Sequence, residues 1–213
     1  MTLLLYAVTD RRRVSGHGVG GAPLSLVRGA RLAAVVSESQ APEANEERIW
    51  EYERVVESLM ESGTVLPVRF GTVLEHDEAV RGFLTQQRDE LDRGLGRVQG
   101  TVEMGVRVEW DGGAGDVAPE SGTAYMLGRL AVLRSARAIA DRLAPLRSLA
   151  RLARIAVMPR RDVAVLGAYL VERRSADAFA ERCEHLRHEL APAELACTGP
   201  WPPYSFARDG ERG

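Results

Sequence analysis

One segment, 162–172, with the sequence DVAVLGAYLVE, constrains the fold more than any other part of the chain. Successive side chains of an extended segment point to opposite faces. Here one face carries Val163, Val165, Tyr169 and Val171, and the other carries Ala164, Leu166, Ala168 and Leu170. A strand that is apolar on both sides is typical of the interior of a sheet, with at least one face covered. We therefore expect a centrally placed strand.

The segments around this strand alternate between strand and helix patterns. Residues 101–110 and 194–199 predict strands, and 151–158 is ambiguous and precedes Pro159. Helices are predicted over 121–143, capped by Ser121 or Thr123, and over 175–190, capped by Ser175. The inward face of the first helix is predicted to hold Met126, Leu130, Leu133, Ala136, Ala140 and Leu143. The order strand, helix, strand, strand, helix, strand is the ferredoxin-like βαββαβ pattern.

The first hundred residues give a looser version of the same organisation. A strand over 3–8 is followed by a hairpin over 24–27 and 32–38, a helix over 46–60, a strand over 64–70 and a helix over 76–98. The clearest break in the chain is the glycine-rich run 111–116. We expect an α+β protein of two tandem domains: a variant α/β sandwich over 1–100 and a ferredoxin-like domain over 101–199, followed by a docked C-terminal tail over 200–213.

The C-terminal tail is rich in proline and aromatic residues, whereas the ends of chains are usually polar and frayed. Its run TGPWPPYSF, residues 198–206, contains three prolines, each of which holds φ near about −65° and removes a backbone donor. The result is an extended, pre-ordered segment whose aromatic rings need a partner surface. That surface is either the body of the chain or another protein.

A second distinctive run, VLPVRFGTV at 65–73, combines an apolar, strand-like stretch with one arginine and a glycine turn. Pro67 cannot donate to a strand ladder, so it predicts an edge strand or a bulge. Arg69 and Phe70 are expected to point to opposite faces, where one can pair with an acid and the other can pack. They are either an ordinary surface charge and core ring or contact residues for a partner.

Composition excludes several classes of partner. A net charge of −2 argues against a nucleic-acid surface, and no stretch approaches the ~18 apolar residues of a membrane span. The N-terminal run MTLLLYAVTD reads as a first strand rather than a leader, which indicates a cytoplasmic protein. One local exception is a cluster of arginines, interpreted either as a solvated helix face or as a surface for an acidic partner: Arg129, Arg134, Arg137, Arg142, Arg147, Arg151 and Arg154.

The candidates for chemistry have structural explanations. The glycines at 16–21 precede a strand, whereas a phosphate-binding turn opens a helix. His185 and His188 lack further ligands at metal-binding spacing, and Cys183 falls on an apolar helix face. Acidic pairs lie among arginines at ion-pair spacing on helices. We therefore expect no enzyme, and no catalytic, cofactor-binding or metal-binding residues.

Six motifs, in order along nearly the whole chain, resemble the gas vesicle accessory family GvpF/GvpL. They are YAV at 6–8, LAAVVSE at 32–38, VLPVRFGTV at 65–73, EMGVRVEWD at 103–111, SGTAYML at 121–127 and GPWPPYSF at 199–206. The resemblance implies two α+β domains with a C-terminal tail, which agrees with the element order. The short loops and the short tail after Phe206 favour the GvpF branch.

The resemblance also implies an accessory or minor structural role in building gas vesicles. The expected partners are the major shell protein GvpA and other gas vesicle accessory proteins, with no nucleic acid, membrane or cofactor involved, and the expected location is the cytoplasm and the gas vesicle. The predicted contact residues are Leu66, Pro67, Arg69, Phe70, Trp201, Pro203, Tyr204 and Phe206. The alternative is a ligand-binding regulatory module with paired ferredoxin-like domains.

Overall fold

The computed structural model of the protein describes residues 2–39, 45–111, 121–158 and 162–208. Most of the predicted glycine-rich break, 112–116, and the end of the predicted tail, 209–213, lie outside these residues. The chain divides into two compact units. One consists of Met1–Gly100 with Pro202–Gly213, and the other is Thr101–Trp201.

The N-terminal unit contains an antiparallel sheet in the order β2-β3-β1-β4, with β5 also paired to β1. Its strands are β1 (Thr2–Thr9), β2 (Ser25–Arg28), β3 (Ala33–Ser39), β4 (Leu66–Pro67) and β5 (Val73–Leu74). Its helices are α1 (Glu46–Glu61), α2 (Asp77–Gln86) and α3 (Arg88–Val98). The first strand and the hairpin are confirmed. β1 is buried from Leu3 to Thr9 because it lies inside the sheet, between β3 and the short strands β4 and β5.

Helices α1 and α2 begin at side-chain caps, whereas the N-cap residue of α3, Gln87, makes no capping side-chain hydrogen bond among the described residues. Asn45 Oδ1 accepts a hydrogen bond from the Arg48 amide at 2.9 Å, and His76 Nδ1 accepts one from the Ala79 amide at 3.1 Å. The single helix predicted over 76–98 is wrong, because the backbone at Gln87 leaves helical geometry (φ −104°, ψ 14°) and separates α2 from α3.

The C-terminal unit contains a four-stranded antiparallel sheet in the order β7-β8-β6-β9. Its elements are β6 (Thr101–Glu109), α4 (Gly122–Arg142), α5 (Ala144–Arg147), β7 (Leu152–Val157), β8 (Val163–Glu172), α6 (Ala176–Leu190) and β9 (Glu194–Trp201). The doubly apolar strand β8 is central, as predicted. Leu166 on one of its faces is exposed, so that face is partly open to solvent. The ambiguous segment 151–158 forms strand β7. The protein is thus a mixed α+β fold with two antiparallel sheets.

Helix α4 departs from its predicted packing. Ser121 caps it, with Oγ accepting a hydrogen bond from the Ala124 amide at 3.1 Å. The predicted inward face is wrong for its first half: Met126 and Leu130 are exposed, because no described element covers residues 121–131. Burial begins further along the helix, at Ala136. Ser175 occupies the N-cap position of α6, but its side chain makes no capping hydrogen bond within the described residues.

Candidate interaction surface

The C-terminal segment packs into the N-terminal unit. Pro202, Pro203 and Phe206 are buried, and Tyr204–Phe206 form one turn of 3-10 helix. The Arg97 guanidinium on α3 donates a hydrogen bond through Nη1 to the Phe206 carbonyl oxygen at 2.9 Å. The body of the chain therefore provides the surface that the proline-rich run requires.

The tail meets the VLPVRFGTV run across α3, at a glycine. A Cβ atom on Gly94 would lie 2.8 Å from the Ala207 carbonyl oxygen and 3.1 Å from both Leu66 methyl groups. Real side chains do not approach backbone that closely, so the absence of a side chain at Gly94 permits the packing. The two distinctive runs of the sequence are thereby brought into one core.

The VLPVRFGTV run does not form the continuous strand predicted over 64–70. It forms two short strands, β4 and β5, separated by a turn in which the Thr72 amide and Thr72 Oγ1 bond to the Arg69 carbonyl oxygen at 3.3 and 2.8 Å. Gly71 has φ +82°, a left-handed conformation that favours glycine and breaks the strand. β4 lies at the end of the sheet, which confirms the edge position predicted from Pro67.

A cluster of aromatic rings supports this turn. The Tyr52 ring stacks on Tyr6 with centroids 5.0 Å apart, and Phe70 meets Tyr52 edge-on at 5.2 Å. The Tyr52 hydroxyl lies 2.6 Å from the Val68 carbonyl oxygen and 2.9 Å from that of Leu5. The turn that presents Arg69 and Phe70 is therefore fixed to the buried face of α1.

The tail tyrosine adjoins the same cluster. Burial raises the pKa of the Tyr204 hydroxyl, and the negative charge that Tyr52 and Glu53 would carry adds to the effect. Burial also raises the pKa of the Glu53 carboxyl, and its interaction with the Tyr204 hydroxyl offsets part of that rise. The Tyr204 hydroxyl is buried and forms no hydrogen bond among the described residues, so its link to α1 is electrostatic.

The predicted contact residues separate into three groups by exposure. Leu66, Pro67, Pro203 and Phe206 are buried in the N-terminal unit, and Phe70 and Tyr204 are half-buried there. Arg69 is exposed in the same unit. Trp201 is 42 % exposed in the C-terminal unit, at the end of β9 and opposite Glu103 on β6.

Sequence reasoning missed the residues that hold this arrangement. No local pattern indicates that the hydroxyl of Tyr52 on α1 reaches the main chain of β1 and of Val68, just after β4. Glu53, Gly94 and Arg97 carried no motif signal at all. Their partners are distant in sequence: Arg97 and Phe206 are 109 positions apart.

The glycine-rich segment 16–21 is anchored by Tyr6 rather than shaped as a phosphate loop. The Val19 amide donates to Tyr6 Oη at 2.8 Å, and Tyr6 Oη lies 2.8 Å from Ser37 Oγ. A Cβ on Gly18 would lie 2.3 Å from that hydroxyl, so the close approach requires glycine. Between this segment and α1 lies an open cleft of about 810 Å³ that is lined by Arg11, Arg13, His17, Glu51, Arg54 and Glu61 among others.

The described residues carry few other features that could bind a ligand. Arg11, at the rim of the cleft, donates through Nη1 to Ser62 Oγ at 2.7 Å. No group of three or more potential metal ligands comes together within the described residues. Cys183 is buried in the core, as its position on the apolar face predicted. Of the described helices, none combines the length and apolar character that a membrane crossing requires.

Comparison with known proteins places this fold in a family. The model for the family described as "Gas vesicle synthesis protein GvpL/GvpF" matches residues 2–208. Gas vesicle protein L of Streptomyces sp. (strain CB03234) is 31 % identical over 90 % of this chain and 85 % of its own length. Gas vesicle protein F1 of Halobacterium salinarum is 28 % identical over 96 % of this chain and 92 % of its own.

Solved structures show the same architecture. The crystal structures of GvpF from Microcystis aeruginosa and from Anabaena sp. PCC7120 both superpose with a TM-score of 0.83 at 19 % identity. They cover 98 % and 99 % of this chain, and each is covered over 99 % of its own length. The fold is therefore that of a gas vesicle protein with two antiparallel sheets. The chain belongs to the GvpL/GvpF family of gas vesicle synthesis proteins, and the resemblance seen in its motifs is confirmed.

Proposed function

We propose that this gas vesicle protein is an accessory or minor structural protein that binds the major shell protein GvpA and supports the nucleation or assembly of vesicles. The observation that carries the proposal is the turn between β4 and β5, which presents exposed Arg69 beside half-buried Phe70 at a sheet edge. A partly exposed ring next to a cation is typical of a protein contact, since aromatic and arginine side chains dominate binding energies.

Side chains rather than the main chain are proposed to make this contact. β4 has two residues, and Pro67 lacks an amide hydrogen, so the strand has little capacity to pair with an added strand. The base under the turn is rigid, because Tyr52 bonds to the Val68 carbonyl oxygen, and a preformed contact loses little conformational entropy on binding. Buried Leu66, Pro67, Pro203 and Phe206 then brace the surface of the N-terminal unit, while Arg69, Phe70 and Tyr204 supply contact area. Trp201, in the C-terminal unit, is proposed as a separate contact residue.

The same proposal covers location and the remaining partners. We infer a cytoplasmic protein that joins the gas vesicle, interacts with other accessory proteins, and has neither catalytic activity nor nucleic-acid or membrane ligands. We also infer that the C-terminal unit is ferredoxin-like, which is supported by its βαββαβ order and its strand order β7-β8-β6-β9. The alternative, a ligand-binding regulatory module, would use the cleft beside α1, whose residue Arg11 is already bonded to Ser62.

The test is capture of GvpA by the full chain after co-expression. Arg69→Ala and Trp201→Ala remove exposed side chains and are each expected to weaken capture about tenfold, as for truncation of a contact anchor. The matched controls are Arg81→Ala and Leu152→Ala, which remove an exposed arginine from the N-terminal unit and an exposed apolar side chain from the C-terminal unit. Full capture of GvpA by both Arg69→Ala and Trp201→Ala chains, folded by circular dichroism, would overturn the proposed contact.

A further inference from the structure

The first half of α4 exposes large apolar side chains on a helix that carries positive charge. Tyr125, Met126, Leu127 and Leu130 leave 49, 65, 61 and 40 % of their surface uncovered. Over its whole length, α4 contains four arginines and one aspartate. An apolar cluster beside charges of one sign is typical of a surface that contacts another protein.

The apolar cluster and the charge lie on the same side of the helix. Met126, Leu130 and Arg134 follow each other at intervals of four residues, which places them on one face. Leu130 and Arg134 are separated by about 6 Å along the helix axis. Arg134 is exposed and forms no ion pair with another described residue, so its charge is available to a partner.

Helix α1 has the complementary surface. Ile49 and Trp50 are 41 % and 57 % exposed, on a helix with six glutamates and two arginines. Glu46 is exposed one turn before Trp50, which separates the two by about 6 Å along the axis. No ion pair joins Glu46 to another described residue. On α1, the exposed Trp50 ring lies one turn from an acid. On α4, exposed Leu130 lies one turn from a base, so the two surfaces are complementary.

We propose that α4 of one copy of this protein docks against α1 of a second copy. In an antiparallel arrangement Trp50 lies on Leu130 while Glu46 reaches Arg134, because the two spacings are equal. A parallel arrangement would instead bring Arg54, one turn after Trp50, against Arg134, and like charges repel. The direction of the helices is therefore specified by charge.

The contact joins two different surfaces, which allows two forms of assembly. Two copies either pair reciprocally, with both α1–α4 contacts formed, or leave one α1 and one α4 unoccupied, so that further copies add head to tail into a ring or an open chain. A self-associating protein of this kind can present several shell-binding surfaces at once, and that multiplicity raises overall affinity without any new contact.

The first experiment measures the mass of the full chain by sedimentation velocity from about 1 µM to 1 mM, the range in which small interfaces dissociate. The weight-average mass is expected to rise with concentration and to fall with added salt, because the contact includes exposed charges. A chain that stays monomeric throughout this range overturns the proposal. A monomeric chain that binds anionic lipid vesicles also overturns it, because α4 would then contact a membrane surface rather than a second copy.

The second experiment disables one surface at a time. Trp50→Ala with Glu46→Arg disables α1, and Leu130→Ala with Arg134→Glu disables α4; each chain alone is expected to associate at least about tenfold more weakly. An equimolar mixture of the two chains retains one intact α1 and one intact α4, and is expected to form dimers that do not grow. Undiminished association of the chain with the disabled α1 would indicate α4–α4 pairing and overturn the proposal.

The third experiment tests the pairing of Glu46 with Arg134. Glu46→Arg and Arg134→Glu are each expected to weaken association, and the two together in one chain are expected to restore it. Leu166→Ala, at an exposed leucine on β8, is the matched control and is expected to leave the mass unchanged. A doubly reversed chain no better than the single variants, or a control that weakens association equally, contradicts the assigned pair.

Discussion

Arg97 on α3 donates a hydrogen bond through Nη1 to the carbonyl oxygen of Phe206, at 2.9 Å and across 109 positions of the chain. The bond ties the C-terminal segment to the N-terminal unit, beside the close contact between Gly94 and Ala207. Variants in the tail therefore change the stability of that unit as well as any surface that it displays. Stability and binding must be measured together for each of them.

Phe206→Ala is expected to destabilise the protein by about 3–5 kcal/mol, the usual range for truncating a buried phenylalanine. The ring is 1 % exposed, so its removal leaves a cavity in the N-terminal unit. Urea denaturation gives the change in the free energy of unfolding. Trp201→Ala, at an exposed ring in the same run, is expected to change it by less than about 1 kcal/mol. Equal losses would mean that the ring of Phe206 is not packed.

Gly94→Ala is expected to lower the free energy of unfolding by about 1–3 kcal/mol, because an added methyl group forces α3 and the tail apart. Its Cβ would meet the Ala207 carbonyl oxygen at 2.8 Å. Gly96→Ala on the same helix meets nothing within 4 Å and is expected to stabilise by about 0.5–1 kcal/mol through helix propensity. The decisive result is a lower free energy of unfolding for Gly94→Ala and a higher one for Gly96→Ala. Stabilisation by both substitutions would contradict the close contact at Gly94.

Tyr52→Phe is expected to destabilise the protein by about 1–3 kcal/mol, because it leaves a buried main-chain carbonyl without its hydroxyl partner. The hydroxyl lies 2.6 Å from the Val68 carbonyl oxygen, and the rings remain stacked in the variant. Chemical denaturation measures the loss. Tyr125→Phe removes an exposed hydroxyl and is expected to change the free energy of unfolding little. A loss as large as that of Tyr52→Phe would mean that the effect does not come from burial of the hydroxyl bond.

Tyr169→Phe is expected to act in the opposite direction. The Tyr169 hydroxyl is buried and accepts or donates no hydrogen bond among the described residues. Replacing it with hydrogen removes an unsatisfied polar group, which is expected to stabilise by about 1 kcal/mol. A loss of stability near neutral pH, measured by the same denaturation experiment, would show that this hydroxyl has a partner.

The stability of the protein is expected to fall in alkaline solution, partly through Tyr169. Burial raises the pKa of this hydroxyl from 10.0 to about 12. The folded chain then holds its proton more tightly than the unfolded chain, so the contribution is complete below pH about 10 and is lost as pH rises towards 12. The free energy of unfolding of Tyr169→Phe should decline less steeply over that range. Identical slopes would exclude the contribution of Tyr169.

The sequence predicted best those elements whose signals are local. The doubly apolar run 162–172 is the central strand β8, because alternation at a period of two is visible in the residues themselves. Ser121 caps α4 through a hydrogen bond to an amide three residues away. The glycine turn at Gly71 was indicated, but the break at Gln87 and the end of the predicted strand 64–70 at Pro67 were missed, since each depends on what the flanking residues pack against.

The candidate surface was predictable only in part. The runs around Pro67 and Trp201 stood out in the sequence, because proline restricts the backbone and removes a donor, and aromatic rings have large apolar surfaces that favour burial. No sequence pattern indicated that these runs are buried against each other: Leu66 and the Ala207 carbonyl oxygen both pack against Gly94, which no pattern near either residue indicates. Periodicity also placed Met126 and Leu130 inward, whereas the structure leaves them exposed.

The sequence by itself determined where most strands and helices form, where proline and glycine end several of them, and which family the motifs resemble. These properties follow from the conformational preferences of single residues and from periods of two or 3.6 residues. Only the tertiary structure decided that the tail packs on α3, that Tyr52 supports the Arg69 turn, and that half of α4 remains uncovered. Those outcomes depend on contacts between residues tens to more than a hundred positions apart, and short-range preferences carry no information about such pairings.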